Sequence, residues 1–304
     1  MKIAHFSDLH LMGDGPVPAR RLANKRVAGW INLRYRRSHI HRAAYVRAIA
    51  REIARAGVDH VVVTGDLTNL ALEAEFERAR SVIEDDLGLS PADVTVVPGN
   101  HDVYTRGAMS TRRFEGYFAS WLESDLPELA VDVHGGRFPV VKLRGSAAIV
   151  GLSSAVPRLP FVSAGEIGQA QAEALGRILD HPDVARRTLV LAVHHPVVHP
   201  WSRAKTYLEG LRDAPLVLAQ LRSISSGLLV HGHLHRRIQR VIRTDRGEVR
   251  QIGATSASLH HEAPDRMAGF NVYELGEAGT IRVEARVYSP DAESFHPESV
   301  PRHV

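Results

Sequence analysis

Five blocks of the sequence place Asp, Asn or His side chains at or within a few residues of the end of an apolar run. The most concentrated block is Asn-His-Asp at 100–102, which follows the β-branched run 94–97 and the breakers Pro98 and Gly99. The other blocks hold Asp8 and His10, Asp66, His194 and His195, and His233 and His235. One block alone fits a turn with a surface histidine, but five of them favour a site, because carboxylate, imidazole and amide groups together suit divalent ions such as Mn, Fe or Zn.

These blocks can meet only if parallel strands deliver them. Apolar, β-branched runs predict strands at 2–7, 60–64, 94–97, 147–152, 188–193 and 227–230, with further, antiparallel strands at 249–252, 270–273 and 280–288. Adjacent strands lie ~4.8 Å apart, so their carboxyl ends bring the side chains together. The donors exceed what one ion takes, and two ions ~3.5–4 Å apart, bridged by one carboxylate, fit better.

Helical periodicity alternates with these strands and predicts an α/β fold with right-handed parallel crossovers. The helices are expected at 41–56, 73–87, 111–122, 163–179 and 215–224, with one further helical piece within 201–213. Ser163 and Glu166 have the spacing of a capping box and predict the start of the fourth helix. We expect one domain over 1–304, with a polar surface tail at 290–304.

Composition narrows the class of protein. The chain has 304 residues, 44% of them hydrophobic, which suffices for a large globular core. It has no cysteine, so disulfides and thiolate metal sites are excluded. The first residues read as a strand instead of a signal peptide, and no apolar run approaches the ~18 residues of a membrane span. We therefore expect a cytoplasmic protein.

Positive charge is concentrated in one stretch. The net charge is +4, yet residues 15–51 hold ten basic and no acidic side chains, so the remainder of the chain is net acidic. Within this stretch, helical spacing relates Ala23, Val27, Trp30, Ile31 and Arg34, and we predict a basic amphipathic cap over 15–40. A structural surface helix is the alternative. As a cap, residues 20–37 would contact an anionic substrate, or an anionic lipid at the inner membrane surface.

The five blocks resemble the signature blocks of the calcineurin-like metallophosphoesterases. They occur in the family's order over residues 8–235 as Asp8-Leu9-His10, Gly65-Asp66, Gly99-Asn100-His101-Asp102, His194-His195-Pro196 and Gly232-His233-Leu234-His235. The resemblance implies a two-sheet β-sandwich flanked by helices, with a dimetal site at the carboxyl ends of the strands.

The resemblance also implies a role for each matched residue. Asp8, His10 and His235 would hold the first ion, and Asn100, His194 and His233 the second. Asp66 would bridge the two ions. His101 would be the histidine over the substrate phosphate, and Asp102 would orient it. His195, Arg26, Trp30 and Arg34 are candidate substrate contacts.

The implied reaction is hydrolysis of a phosphoester by a hydroxide that bridges the two ions, with a protonated His101 that either donates to the leaving alkoxide or stabilises the transition state. The sequences of the second and third blocks are most similar to those of bacterial members that act on cyclic nucleotides or glycerophosphodiesters. The basic segment favours an alternative, a pyrophosphohydrolase of a nucleotide-linked lipid such as UDP-diacylglucosamine, although some such members carry Arg where this chain has His101. A nuclease is a third interpretation, but few aromatic residues interleave the basic patch. An inactive scaffold should have lost ligands, and all seven are present.

Overall fold

The computed structural model describes residues 1–13, 41–103, 105–158, 162–199, 203–276 and 279–303. Its strands, in chain order, are β1 (Lys2–Phe6), β2 (His60–Val63), β3 (Val94–Val96), β4 (Val131–Val133), β5 (Gly136–Phe138), β6 (Val140–Arg144), β7 (Ala147–Gly151), β8 (Thr188–Ala192), β9 (Ser226–His231), β10 (Ile238–Arg243), β11 (Glu248–Gly253), β12 (Gly269–Leu275), β13 (Ile281–Ser289) and β14 (Ser294–Glu298). The α-helices are α1 (Ala43–Arg55), α2 (Glu73–Ser81), α3 (Arg106–Ser110), α4 (Arg113–Phe118), α5 (Gln169–Leu179), α6 (Pro182–Ala185), α7 (Arg203–Glu209) and α8 (Ala214–Gln220).

Two six-stranded sheets form the centre of the molecule. The order of strands is β14-β13-β12-β1-β2-β3 in the first sheet and β10-β11-β9-β8-β7-β6 in the second, and β4 pairs with β5 in a separate ribbon. In the first sheet β1, β2 and β3 are parallel, and in the second β7, β8, β9 and β11 are parallel. Each sheet therefore contributes a set of carboxyl ends that point the same way.

The buried side chains show how the layers stack. Along β7, Ala147 and Ile149 belong to the core shared with the first sheet, whereas Ala148 and Val150 pack in a second core with α5 and α8. The strands β8 and β9 alternate in the same way. The first sheet packs in turn with the apolar faces of α1 and α2. The fold is thus the predicted two-sheet β-sandwich flanked by helices.

Several elements differ from the prediction. The predicted helix 73–87 is an α-helix to Ser81 and then a wider π turn over Val82–Leu87. The strands β4, β5, β6, β10 and β14 were not predicted. The segment 290–304, expected as a surface tail, contains the exposed edge strand β14, and His303 donates its backbone N–H to the carbonyl of Gln239 at 2.9 Å.

The start of α5 is the clearest correction. This helix begins at Gln169, where the carboxylate of Asp213 accepts the N–H groups of Ile167 and Gly168. Ser163 and Glu166 form no capping box, because the backbone of Gly165 is bridged to Leu211 instead. A capping interaction does occur at α2, where Glu75 accepts the N–H of Leu72 at 3.1 Å. Among the helices described, none is both long and apolar enough to cross a membrane.

Candidate metal centre

The candidate ligands come from strand ends of both sheets. In the first sheet, β1 leads to Asp8 and His10, β2 leads to Asp66, and β3 leads to Asn100 and His101. In the second sheet, β8 leads to His194 and His195, and β9 leads to His233 and His235. The facing sheets therefore bring all five blocks to one end of the sandwich.

The first cluster consists of Asp8, His10 and His235, whose donor atoms lie within 4.8 Å of one another. Nε2 of His10 lies 3.0 Å from Nε2 of His235, which is itself 3.2 Å from Oδ1 of Asp8. These are the residues predicted to hold the first ion.

The second cluster is centred on His194. Its Nε2 lies 3.2 Å from Oδ1 of Asn100 and 3.2 Å from Nδ1 of His233. Its Nδ1 donates to the backbone carbonyl of Thr64 at 2.6 Å, which orients the ring. These are the residues predicted to hold the second ion.

Asp66 lies between the two clusters. Its Oδ2 is 3.4 Å from Nε2 of His194 and 4.0 Å from Nε2 of His10. One carboxylate oxygen therefore faces both clusters, an arrangement that suits a bridging ligand. A buried set of carboxylate, imidazole and amide donors with no cysteine fits two divalent ions.

The close approach of these buried charged and titratable groups shifts their pKa values. Burial alone would raise the pKa of Asp66, but His194, His101 and His10 together hold it well below its ordinary value. Burial alone would lower the pKa of His194, but Asp66 and Asp8 raise it to about 9. Without metal, Asp66 and His194 form a buried ion pair, and a bound cation would take the place of the His194 proton.

Five candidate ligands adopt left-handed backbone conformations, which non-glycine residues rarely populate. The φ angles are 55° at Asp8, 46° at His10, 51° at Asp66, 66° at His233 and 49° at His235. Such conformations cost ~1–3 kcal/mol each and persist where the surroundings impose them, as at functional sites. Here they turn the chain sharply at the strand ends, so that alternate side chains enter the same centre.

His101 lies beside the first cluster, with its ring centroid 5.0 Å from that of His10. Its Nδ1 donates to the backbone carbonyl of Asn69 at 2.7 Å, because a carbonyl can only accept. Nε2 is therefore the position at which a second, transferable proton would be held.

Asp102 does not have the predicted role of orienting His101. Its buried carboxylate accepts the backbone N–H groups of Gly99, Leu67 and Thr68 and the hydroxyl of Thr68. Burial and the charge of Asp66 raise the pKa of Asp102 to about 7, although these donors favour the carboxylate. Asp102 joins the loops that follow β2 and β3, while Asn69 orients His101.

His195 differs from its predicted place among the substrate contacts. It is buried, its Nε2 donates to the carbonyl of Ser163 at 2.7 Å, and its Nδ1 is 2.8 Å from the hydroxyl of Ser154. Both ring nitrogens are thus engaged within the protein. The other predicted contacts, Arg26, Trp30 and Arg34, lie with the whole segment 15–40 outside the described residues.

His41 is a residue of the centre that the sequence patterns do not predict. Its ring centroid lies 5.1 Å from that of His10 and 5.9 Å from that of His235. Its Nδ1 is 2.6 Å from Oγ of Ser258, and a bridge pairs its backbone with Leu259. Because this position depends on a partner more than two hundred residues away in the chain, no local pattern indicates it.

The sequence model of the family described as calcineurin-like phosphoesterase matches residues 1–237, which include all five blocks. No curated protein matches the sequence.

Solved structures share the fold. A dimetal phosphatase from Danio rerio has a TM-score of 0.57 and 18% identity, and the match covers 93% of this chain and 94% of that one. The purple acid phosphatase PPD1 from yellow lupin has a TM-score of 0.55 and 11% identity, over 99% and 53% of the two chains. The sulfate thiohydrolase SoxB from Thermus thermophilus, in complex with glycerol, has a TM-score of 0.52 and 16% identity, over 93% and 56%. The chain spans a little over half the length of the last two proteins.

Proposed function

The chain belongs to the calcineurin-like phosphoesterase family and is a metal-dependent phosphoesterase. On that premise we propose that it hydrolyses a phosphodiester of the cyclic-nucleotide or glycerophosphodiester type. The ions would be two of Mn, Fe or Zn, held by Asp8, His10 and His235 on one side and by Asn100, His194 and His233 on the other, with Asp66 between them. When bound, such ions neutralise phosphoryl oxygens and lower the pKa of water to about 7.

The observation that carries the proposal is the orientation of His101. The Asn69 carbonyl holds the Nδ1–H, so a protonated His101 would present its transferable proton at Nε2, beside the first cluster. An alkoxide leaving group, such as the ribose or glycerol oxygen of a diester, needs a proton as its bond to phosphorus breaks. A phosphate leaving group, as in a pyrophosphate, is far less basic and needs none. A positioned acid therefore supports an ester substrate.

A substrate panel tests this proposal. Initial rates with Mn²⁺ would be compared for cyclic AMP, glycerophosphocholine, bis(p-nitrophenyl) phosphate, p-nitrophenyl phosphate, UDP-diacylglucosamine and single-stranded DNA. We expect kcat/KM to be highest for one of the diesters and to be abolished in Asp66→Asn. A clear preference for the UDP-lipid, for DNA or for the monoester would overturn the choice of substrate, and no turnover of any substrate would support a scaffold.

The basic segment favours a second candidate, the pyrophosphohydrolase of a nucleotide-linked lipid. Residues 20–37 combine dense positive charge with Trp30, and His41, the first described residue after the segment, packs beside His10. Arg binds phosphate through a planar fork, and an apolar face can cover an acyl chain. Co-sedimentation with anionic vesicles tests it: binding that is lost when 15–40 is replaced by a Gly/Ser linker supports a lipid, and no binding supports a water-soluble substrate.

A further inference from the structure

The hydroxyl of Ser163 contacts the ring of a candidate ligand, His233, from outside the centre. Its Oγ lies 3.3 Å from Nε2 of His233, while Nδ1 of the same ring lies 3.2 Å from Nε2 of His194. One edge of the His233 ring thus faces the second cluster and the other edge faces Ser163.

We propose that Ser163 is a positioning residue, which selects the tautomer of His233 by accepting the proton on Nε2. A histidine ligand must be neutral, so only one of its ring nitrogens carries a proton. Because Nδ1 faces the second cluster, Nδ1 must offer the lone pair and Nε2 must hold the proton. The Ser163 hydroxyl is placed to accept it, and such outer partners set ring orientation and ligand basicity.

The position of Ser163 is itself enforced by the chain around it. Its backbone N–H donates to the carbonyl of Leu208 at 2.9 Å, and its own carbonyl accepts Nε2–H of His195 at 2.7 Å. Nδ1 of neutral His195 then accepts the hydroxyl of Ser154 at 2.8 Å. A Cβ on Gly165 would lie 2.3 Å from Nδ1 of His195, so no larger residue fits against this ring. The buried ring of His195 thus supports the loop that carries Ser163.

This arrangement gives the His-His-Pro block two functions. His194 faces the centre as a candidate ligand, and its neighbour His195 holds the loop that orients another ligand, His233. The bond to Leu208 also fixes this loop to the end of α7. The capping-box pattern of Ser163 and Glu166 therefore marks a support for the metal centre and not a helix start.

The inference rests on His233 being a ligand in the proposed dimetal centre, and calorimetric titration of chelator-treated protein with Mn²⁺ tests it. In Ser163→Ala we expect one of two binding events to weaken about 10–100-fold, as is typical when an outer partner of a ligand is removed, and the other to keep its affinity. Ser163→Thr keeps a γ-hydroxyl and should bind within about threefold of the wild type. Ser153→Ala is the matched control, because the Ser153 hydroxyl donates to the carbonyl of His134 and touches no ligand.

A spectroscopic measurement separates tautomer selection from a packing effect. Long-range ¹H–¹⁵N spectra of the metal-free, histidine-labelled protein should show His233 as the Nε2–H tautomer in the wild type and in Ser163→Thr, and a mixture in Ser163→Ala. Unchanged affinities and tautomer in Ser163→Ala would overturn the inference, as would an equal loss in Ser163→Thr. Failure of the dimetal premise is distinguishable, since the wild type would then bind fewer than two ions.

Discussion

The carboxylate of Asp8 accepts the backbone N–H of His233, at 3.0 Å from Oδ2 and 3.2 Å from Oδ1. These residues belong to different sheets and, by the family resemblance, to different metal positions. The contact requires Gly232, because a Cβ there would lie 1.9 Å from Oγ of Ser7 and 2.3 Å from Oδ2 of Asp8. A candidate ligand of the first ion therefore fixes the backbone of a candidate ligand of the second.

Asp8→Ala is expected to weaken both metal positions. The substitution removes one donor from the first cluster and also releases the left-handed backbone at His233. His235→Ala is the matched control, because it removes a donor from the first cluster alone. Elemental analysis after reconstitution with Mn²⁺ and gel filtration should find close to two ions per wild-type chain, about one in His235→Ala and fewer than one in Asp8→Ala. Retention of one tightly bound ion in Asp8→Ala would contradict the coupling.

His101→Ala is expected to affect substrates according to their leaving groups. The variant should retain metal, lose most of its kcat on an alkyl phosphodiester, typically by 10²–10⁴-fold for a lost general acid, and lose much less on a p-nitrophenyl ester. Steady-state kinetics on the two substrates, with metal content measured in parallel, check this. Equal losses at full metal content would instead indicate that His101 stabilises the transition state and transfers no proton.

Much of the centre follows from local sequence patterns. Runs of apolar and β-branched residues predict the parallel strands, and parallel strands share one edge, so the strand-end blocks had to meet. Asp8 and His194 illustrate this, because each directly follows its predicted strand, and Asp66 follows its own strand after one glycine.

Long-range pairings could not be predicted in this way. Ser163 and Glu166 match a capping box, but the carbonyl of Leu208, far along the chain, binds the backbone of Ser163 and excludes the helix. Asp102 neighbours His101 in sequence, yet its carboxylate reaches Leu67 and Thr68, because the loops after β2 and β3 lie side by side. Such long-range contacts produce no periodic pattern in the sequence. The residues of the site were therefore predictable, whereas their hydrogen-bond partners were not.

Asp102→Ala is expected to destabilise the fold more than it affects proton transfer. It would leave three buried backbone N–H groups without an acceptor, each costing about 1–3 kcal/mol, so the free energy of unfolding should fall by about 3 kcal/mol or more. His101→Ala, which loses the partly buried hydrogen bond to the Asn69 carbonyl, should cost about 1 kcal/mol or less. Urea denaturation of the two variants makes the comparison. An unchanged stability in Asp102→Ala, with a kcat as low as that of His101→Ala, would instead support the predicted role of Asp102 in orienting His101.

His60 lies at the start of β2, at the opposite end of the strand from Asp66, and its burial predicts how the stability of the fold depends on acid pH. The imidazole is fully buried, and its Nε2 lies 2.9 Å from Oγ1 of Thr95. Burial, followed by the positive charges of Arg144 and Lys142, lowers its pKa from 6.5 to about 3. Above pH 6.5 neither the folded nor the unfolded state binds this proton. Between pH 6.5 and 3 only the unfolded state binds it, so the free energy of unfolding decreases as the pH decreases.

Within this window, unfolding takes up one proton at His60, so the free energy of unfolding falls by about 1.4 kcal/mol for each pH unit of acidification. His60→Phe should therefore flatten the dependence of the free energy of unfolding on pH between 6 and 4 by about this slope. Urea denaturation in the presence of a chelator, which removes any contribution from metal release, measures it. Thr95→Val is the matched control, because it breaks the same hydrogen bond and leaves the imidazole in place: its stability should be lower at every pH with the wild-type slope. An identical slope in His60→Phe and the wild type would mean that His60 is already protonated in the folded protein at pH 6.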